Sequence, residues 1–258
     1  IKVYAADMWG NRITTINNVV EISSTTDTHA KVYGQTVPQF VTLSAGAWTF
    51  NFTFETSGNQ NIRARDMNTS VNNGNATIYV YPASLASFEI SNLSSIQSAG
   101  QSAAPIIRAI DEFGNVKTDY EGLVYISSPY TDWSVPNETT IELTGTNTGL
   151  YQQKWAVTFT AANSGSRQLT TYFYRAVTWQ AKLFVSENFE DTPDSYSGLV
   201  GISSGFTVSP WTAAKLQVLA PGMEARPGTA DGENNSPNGQ AKSQEFTVTI
   251  NITDNWWN

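Results

Sequence analysis

The pattern Asp-x-x-Gly-Asn occurs twice in this sequence, and a variant of it occurs a third time. Residues 5–11 read AADMWGN, residues 109–115 read AIDEFGN, and the chain ends in NITDNWWN. An aspartate in such a stretch can accept hydrogen bonds from backbone N–H groups a few residues ahead. Glycine adopts a positive φ at little cost. The pattern therefore predicts a tight turn that begins at Asp7, at Asp111 and at Asp254.

The same oxygens could instead bind calcium, which takes six to eight oxygen ligands. Asp7, Asp111 and Asp254 each supply one carboxylate, and Asn11 and Asn115 each supply an amide oxygen. One carboxylate per copy is few for calcium. We therefore favour a structural turn, keep a calcium site at a domain junction as the alternative, and expect that no cofactor is required.

Two acidic stretches could also gather calcium. Residues 186–198 read SENFEDTPDSYSG, and residues 229–239 read TADGENNSPNG. Their candidate ligands are Glu187, Glu190, Asp191, Asp194, Asp231 and Glu233. The spacing does not match an EF-hand loop. Solvated loops are the favoured interpretation of both stretches.

Catalytic chemistry has little support in the residue types. His29 is the single histidine, and the absence of cysteine excludes thiolate nucleophiles and cysteine-based metal sites. The sequence contains no Gly-x-Ser-x-Gly elbow and no phosphate-binding loop. Neighbouring carboxylates in a strand point to opposite faces, so pairs such as Glu190 and Asp191 could not share one substrate. We expect no enzymatic activity.

Tryptophan offers a different chemistry, because a flat exposed ring can stack on a sugar. The chain has eight tryptophans. Trp155 alternates with Val157 and Phe159, which predicts a core position. Trp133 is the best candidate for an exposed ring that stacks on a glycan. Carbohydrate binding is therefore the alternative to a structural function.

Composition restricts the partners. The net charge is −8 and no run of lysine and arginine occurs, so nucleic acid is not an expected partner. No apolar run has the length of about 20 residues that a membrane-spanning helix needs. A cysteine-free, acidic chain rich in Ser, Thr and Asn fits an extracellular or cell-surface location.

The elements that position these residues are predicted to be strands. In TFNFTFE, Phe50, Phe52 and Phe54 alternate with polar residues, and EFTVTIN repeats the pattern near the end of the chain. Such alternation is typical of strands with one buried and one solvated face. Turn signals such as Asn-Gly and Pro-Gly separate them. We predict an all-β fold of tandem antiparallel β-sandwiches.

Internal similarity divides the chain into repeats. Val80, Pro82 and Ile90 match Val208, Pro210 and Val218 at a constant spacing of 128 (208 − 80). Asp7 matches Asp111, and the pair Ser57-Gly58 is matched to Ser164-Gly165. We predict the C-terminal part of one repeat at 1–82, a complete repeat at 83–210, and the N-terminal part of a third at 211–258.

The stretches AAKLQVLAPG, FTVTINITDNWWN, AIDEFGNVKT and TFNFTFETSGNQNIRARD resemble tandem bacterial immunoglobulin-like domains, the invasin-like kind found in large surface proteins. The third copy differs from that pattern, because Trp257 replaces the glycine. The resemblance implies immunoglobulin-like sandwiches in a non-catalytic structural or adhesive segment of a stalk, fibre or cell-envelope layer. It implies neighbouring repeats or identical subunits as partners, with surface glycans or host cell-surface proteins as further candidates.

Overall fold

The computed structural model describes residues 1–71, 73–128, 133–142, 153–190 and 195–258. Within these ranges the chain consists of strands and turns, with one short 3-10 helix at Ala161–Asn163 and no α-helix. The predicted all-β class is confirmed, and the sheets contain multiple antiparallel pairs together with one parallel pair, between Ile96–Ser98 and Phe206–Ser209. Two compact units divide the chain: unit 1 is Ile1–Ser84 with Asp111–Asn115, and unit 2 is Leu85–Ile110 with Val116–Asn258.

Unit 1 is built around a four-stranded antiparallel sheet of order β5-β2-β8-β9. Its smaller sheets are β1-β6 and β4-β3-β7. The strands are β1 (Lys2–Tyr4), β2 (Val19–Ser23), β3 (Lys31–Val32), β4 (Gln35–Thr36), β5 (Gln39–Thr42), β6 (Ala47–Thr49), β7 (Phe52–Thr53), β8 (Gly58–Asp66) and β9 (Gly74–Val80).

Strand β2 shows why these residues form a half-buried sheet. Val20 and Ile22 are buried, while the residues between and beside them are only partly buried. This period of two is the strand geometry that alternation predicts. Phe50 joins Val20 and Ile22 in the core, and Phe52 and Phe54 pack against it.

Unit 2 contains a five-stranded sheet of order β16-β17-β14-β21-β22 and three three-stranded sheets, β10-β13-β18, β11-β23-β20 and β12-β19-β15. Two two-stranded antiparallel sheets, β24-β27 and β25-β26, complete its described sheets. The strands up to β18 are β10 (Leu85–Ser91), β11 (Ile96–Ser98), β12 (Ser102–Ala103), β13 (Ile106–Asp111), β14 (Gly122–Ser127), β15 (Trp133–Ser134), β16 (Thr139–Glu142), β17 (Gln153–Phe159) and β18 (Ser166–Gln168). The later strands are β19 (Thr171–Phe173), β20 (Val177–Ala181), β21 (Phe184–Ser186), β22 (Val200–Ile202), β23 (Phe206–Ser209), β24 (Lys215–Leu219), β25 (Glu224–Ala225), β26 (Glu233–Asn234) and β27 (Thr249–Thr253).

The core of unit 2 is larger and contains more aromatic rings. Phe88, Tyr120 and Phe159 meet edge to face, with ring centroids 5.5 Å apart in the first pair and 5.3 Å apart in the second. Trp133 lies in the same core, stacked on Phe173 at 6.3 Å. Burial of these rings removes large apolar side chains from water and stabilises the unit.

Strand pairing shows which residues of the two units are equivalent. In unit 1, Ile22 of β2 lies opposite Ala64 of β8, which lies opposite Gly74 of β9. In unit 2 the corresponding series is Ile126 of β14, Val185 of β21 and Gly201 of β22. The two units therefore share one sheet register, although unit 2 divides the counterpart of β8 into β20 and β21.

The same comparison corrects one detail of the sequence matching. Ala45 and Gly46 both have positive φ (48° and 72°), and so do Ser164 and Gly165 (47° and 70°). A Cβ at Gly46 would meet the Ile13 carbonyl, and a Cβ at Gly165 would meet the Lys117 carbonyl. Lys117 stands 104 residues after Ile13, the same spacing as Asp111 after Asp7. Ser164-Gly165 is thus the counterpart of Ala45-Gly46, and the match to Ser57-Gly58 was wrong.

The division into three repeats at Pro82 and Pro210 stays a prediction. Unit 2 holds both the proposed complete repeat and the proposed third piece, and unit 1 includes a turn that lies beyond residue 82. The immunoglobulin-like type of the sandwich likewise remains an expectation from the resemblance. Among the described residues, no helix is long and apolar enough to cross a membrane.

Candidate functional site

Three turns share one geometry, and we call them the Asp–Asn turns: Asp7–Asn11, Asp111–Asn115 and Asp254–Asn258. In each, the N–H of the aspartate donates to the carbonyl of the asparagine, at 2.9, 2.9 and 3.2 Å. The N–H of the fourth residue donates back to the carbonyl of the aspartate, at 3.0, 3.1 and 3.2 Å. The predicted turns are therefore present in the structure.

One oxygen of each aspartate organises its own turn. Asp111 Oδ1 accepts the backbone N–H groups of Phe113 and Asn115, at 3.0 and 2.8 Å. Asp7 Oδ1 and Asp254 Oδ1 accept from the equivalent two residues. The asparagine amide also donates to its own aspartate in all three turns. The carboxylate thus pairs the donors that the turn leaves without strand partners.

The fourth position of the turn has a positive φ in every copy. It is 83° at Gly10, 83° at Gly114 and 64° at Trp257. Trp257 therefore occupies a conformation that normally favours glycine. Its indole contacts explain the tolerance in part, because Nε1 donates to the Ala230 carbonyl at 3.0 Å and Lys215 Nζ lies 4.2 Å from the ring centroid.

The second turn also binds two distant segments of unit 1. The other carboxylate oxygen, Asp111 Oδ2, accepts the N–H of Ala83 at 2.9 Å. The Asn115 amide accepts the N–H of Ser57 at 3.1 Å and donates to the Glu55 carbonyl at 2.8 Å. One aspartate and one asparagine therefore hold both the linker after β9 and the loop before β8.

The third turn repeats these contacts inside unit 2. Asp254 Oδ2 accepts the N–H of Trp211 at 2.8 Å. The Asn258 amide accepts the N–H of Ala176 at 2.6 Å and donates to the Tyr174 carbonyl at 2.7 Å. The two loop residues bound by Asn258 stand 119 positions after the two loop residues bound by Asn115 (174 − 55 and 176 − 57). The same set of contacts therefore occurs twice in this chain.

The first turn has only the internal half of this arrangement. Asp7 and Asn11 bond to each other and to the backbone of their own turn, and both side chains are exposed. Among the described residues, neither a linker N–H nor a second loop is bonded to them.

Two contributors were absent from the sequence-based candidates. Asn258 was overlooked as the counterpart of Asn11 and Asn115, although its position four residues after Asp254 is the available signal. Asp27 is buried and accepts the N–H groups of His29, Glu55 and Thr56, the last two at 2.7 and 2.9 Å. It fixes the loop that Asn115 binds, and no spacing pattern in the sequence indicates it.

The hydrogen bonds change the acidity of these groups. Burial alone would raise the pKa of Asp111, but donation from Asn115, Ala83 and Phe113 outweighs burial and lowers it. Burial opposes ionisation of Asp254 as well, and donation by Trp211 and Asn258 lowers its pKa. The pKa of Asp7 is also lowered, chiefly by the Asn11 amide. The carboxylates are therefore held in the charged form.

We expect acid to destabilise both units. The pKa of Asp111 and of Asp254 is lower in the folded chain than the ordinary value of 3.8. Their stabilisation is therefore fully present above that value and is lost as the pH falls through the folded-state pKa. The melting temperature between pH 7 and pH 2 measures this. D111N should show a smaller fall, and an identical pH profile in D111N would contradict the assignment.

Calcium at the turns stays a prediction. The carboxylate oxygens of Asp111 and Asp254 face N–H donors, whose positive ends do not favour a cation. Within the described residues, no group of three or more acidic, histidine or cysteine side chains is placed to hold a metal.

The acidic stretches have different surroundings. Glu187 accepts the Tyr120 hydroxyl at 2.7 Å, and burial together with this carboxylate raises the pKa of Tyr120. Glu190 donates its N–H to the Asn188 side chain at 3.1 Å. Glu233 is in strand β26, Asp231 is exposed beside it, and Asp191 and Asp194 lie outside the described residues.

Trp133 does not provide a glycan platform. Its side chain is 3% exposed and packs against Trp155 and Phe173. The expectation of an exposed ring was wrong, because the short strand β15 pairs with β19 and carries the ring into the core. Trp155 is partly buried against the same core.

Comparison with models of protein families found no match, and comparison with the curated proteins found none either.

Several solved structures show a distant similarity. Domains 4 and 5 of the S-layer protein SbsC are 12% identical, with 78% of each chain covered and a TM-score of 0.23. Domains 4–9 of SbsC are 13% identical over 83% of this chain and 26% of that one, with a TM-score of 0.26. A β-glycosidase from Bacteroides vulgatus is 13% identical over 66% and 20%, with a TM-score of 0.27. Values this low establish neither a shared fold nor a shared activity.

Proposed function

We propose that this chain is a non-catalytic structural segment of an extracellular, cell-surface repeat protein. In this proposal, successive β-sandwiches form a stalk, fibre or cell-envelope layer, and the Asp–Asn turns fix linker and loop segments within each unit. The observation that supports it is a repeated set of three contacts. In each copy the aspartate accepts a linker N–H, and the asparagine amide accepts one backbone N–H and donates to one backbone carbonyl of a distant loop. That contact set occurs at Asp111–Asn115 and again at Asp254–Asn258.

The chemistry of the turns favours connection over catalysis. A catalytic carboxylate needs an oxygen that can reach a substrate. Both oxygens of Asp111 and of Asp254 already accept backbone N–H groups, and both side chains are buried. These groups are therefore committed to holding backbone segments together.

The contacts suit a load-bearing connection. The Ala83 N–H lies on the linker that follows β9, and Ser57 and Glu55 lie on the loop that precedes β8. The bond from the Ala83 N–H to the Asp111 carboxylate is charge-assisted and therefore stronger than a neutral hydrogen bond, whereas the two bonds of the Asn115 amide are neutral. Pulling on the linker would have to break them before β9 could separate from the turn.

Composition supports the proposed location and partners. The chain has no cysteine and a net charge of −8. Such a surface stays soluble and does not favour nucleic acid. The proposed partners are neighbouring repeats or identical subunits. Trp133, which had indicated carbohydrate binding, lies in the core, and we propose no second function.

Single-molecule stretching of the whole chain tests the mechanical role. We expect N115A to lower the mean unfolding force. The Ser57 N–H loses its acceptor and the Glu55 carbonyl loses its donor in this variant. The matched control is N11A, which removes an amide that bonds only within its own turn. Equal forces for N115A and N11A would overturn the role.

The location is tested separately. Antibodies against the chain should label intact cells of the source organism. Labelling that requires lysis would overturn the cell-surface assignment.

A further inference from the structure

The hairpin of strands β25 and β26 ends in residues 226–232, which we call the hairpin tip, and this tip lies against the third Asp–Asn turn. The N–H of Gly228 donates to the Trp256 carbonyl at 2.7 Å. The indole Nε1 of Trp257 donates to the Ala230 carbonyl at 3.0 Å. The tip therefore binds the backbone of one tryptophan of the turn and the side chain of the other.

Two glycines allow the tip to approach its neighbours closely. Gly232 is buried, and a Cβ there would overlap the ring of Trp257. Gly228 is buried as well, and a Cβ there would overlap the Cβ of Arg175. Arg175 is the middle residue of the loop that the Asn258 amide binds on both sides. The tip thus contacts both the third turn and the loop that this turn holds.

The tip also has hydrogen bonds of its own. The Arg226 N–H donates to the Gly232 carbonyl at 2.7 Å. The Thr229 hydroxyl donates to the Arg226 carbonyl at 2.7 Å and accepts the Gly232 N–H at 3.1 Å. The buried side chain of Gln217, on strand β24, donates to the Gly232 carbonyl at 2.5 Å. These contacts fix the conformation of the tip without using the turn.

The second turn shows the same arrangement without such a tip. In the part of the chain that the structure describes, a Cβ at Gly114, the counterpart of Trp257, would meet nothing within 4 Å. Phe113, the counterpart of Trp256, is 48% exposed. Trp256 instead packs on Tyr174, with the ring centroids 4.2 Å apart. Since both turns hold a linker and a loop, the tip is an addition to the basic contact set.

The backbone of Trp257 indicates that this addition has a role. Its φ is 64°, a conformation that is costly for a bulky residue and that the first two turns give to glycine. Such strain persists where the surrounding contacts determine the conformation, and it marks positions with a specific role. Here those contacts are the bond to Ala230 and the Lys215 ammonium, 4.2 Å from the ring centroid.

We propose that Trp257 and the hairpin tip form a latch, which keeps the third turn on the loop that Asn258 binds. The turn accepts the N–H groups of Trp211 and Ala176, and the latch must open before these two groups are released. The third turn therefore opens less readily than the second. The inference goes beyond the proposed function, because it concerns local opening and holds wherever the protein is located.

The variant W257G separates the latch from the needs of the turn itself. Glycine is the residue of the first two turns at this position, so it keeps the turn and removes the cost of the positive φ. A tryptophan that only fills the position would leave a turn that opens less often after this change. A tryptophan that acts as the latch leaves one that opens more often. The control is W179A, since Trp179 is 52% exposed on strand β20 and lies outside the tip and the turn.

Hydrogen exchange of the full chain, followed at single amides by NMR spectroscopy, tests the latch. In W257G we expect the amides of Trp211 and Ala176 to exchange about tenfold faster, which corresponds to the loss of about one hydrogen bond. The amides of Ser57 and Ala83, which the second turn accepts, should keep their rates in the same molecule.

The control W179A should leave all four amides unchanged. Exchange at Trp211 and Ala176 that stays the same or slows in W257G would overturn the proposal.

The variant G232A tests the same contact from the side of the tip. Its Cβ displaces the Trp257 ring, so the amides of Trp211 and Ala176 should again exchange faster. In the double variant W257G/G232A the ring is absent, and G232A should then add little to the effect of W257G. Effects of the two substitutions that simply multiply would show that they act independently and would overturn the latch.

Discussion

G46A is expected to destabilise unit 1 severely, by about 3 kcal/mol or more, from overpacking together with the cost of a positive φ. Gly46 is buried and has a φ of 72°. A Cβ at this position would overlap the carbonyl of Ile13 and approach the Cα of Thr14. Both obstacles are backbone, so no side-chain rotation can relieve them.

The urea midpoint of unfolding measures this effect. The control is G34A, since Gly34 has a φ of 79° but a Cβ there meets nothing within 4 Å. It isolates the conformational cost, which is about 1–2 kcal/mol. Equal losses in the two variants would show that the contact with Ile13 does not limit the position.

D111A is the second change with a large expected effect. Asp111 is 3% exposed, and its carboxylate accepts the N–H groups of Ala83, Phe113 and Asn115 as well as the Asn115 amide. Alanine leaves these donors without their acceptor, and buried unpaired donors cost about 1–3 kcal/mol each. Because water can reach some of them, we expect a total loss of about 3 kcal/mol in chemical denaturation.

The first turn supplies the internal control for that experiment. D7A removes the same internal hydrogen bonds from an exposed turn that holds no linker. We expect a clearly smaller loss of stability from D7A than from D111A. If the two variants were equally destabilised, the linker contact of Asp111 would contribute nothing measurable.

Hydrophobic periodicity predicted the fold class correctly. Val20 and Ile22 are buried in β2 and Val124 and Ile126 in β14, as alternation requires of a sheet with one covered face. The alternation of apolar and polar residues depends only on the local geometry of a strand, so it can be read from one sequence. The order of the strands within each sheet depends on distant pairings and was not predicted.

The candidate site was predicted in part. The turns were predicted because an aspartate side chain can accept backbone N–H groups two and four residues ahead, and because glycine in two of the copies allows a positive φ. Both effects act within five residues of sequence. The outward contacts of Asn115 with Glu55 and Ser57 join residues about 60 positions apart. No local pattern contains them, and Asp27, which supports the same loop, was missed for that reason.

Two errors have identifiable physical causes. Ser57-Gly58 and Ser164-Gly165 have the same residue types, but the pair in unit 1 with two positive φ values is Ala45-Gly46. Residue types alone do not reveal that Ala45 has a positive φ. Trp133 lies between polar and proline residues, which suggested a surface loop. Its pairing with Phe173 across β15 and β19 buries it.

The shared sheet register has a practical consequence for protein engineering. Ala64 lies opposite Gly74 in unit 1, and Val185 lies opposite Gly201 in unit 2. The second pair is separated by six more residues of sequence than the first (201 − 185 against 74 − 64). Because loop closure depends only weakly on length, this end of the sheet accommodates added polypeptide. A foreign epitope could be displayed there while the paired strands keep their alignment.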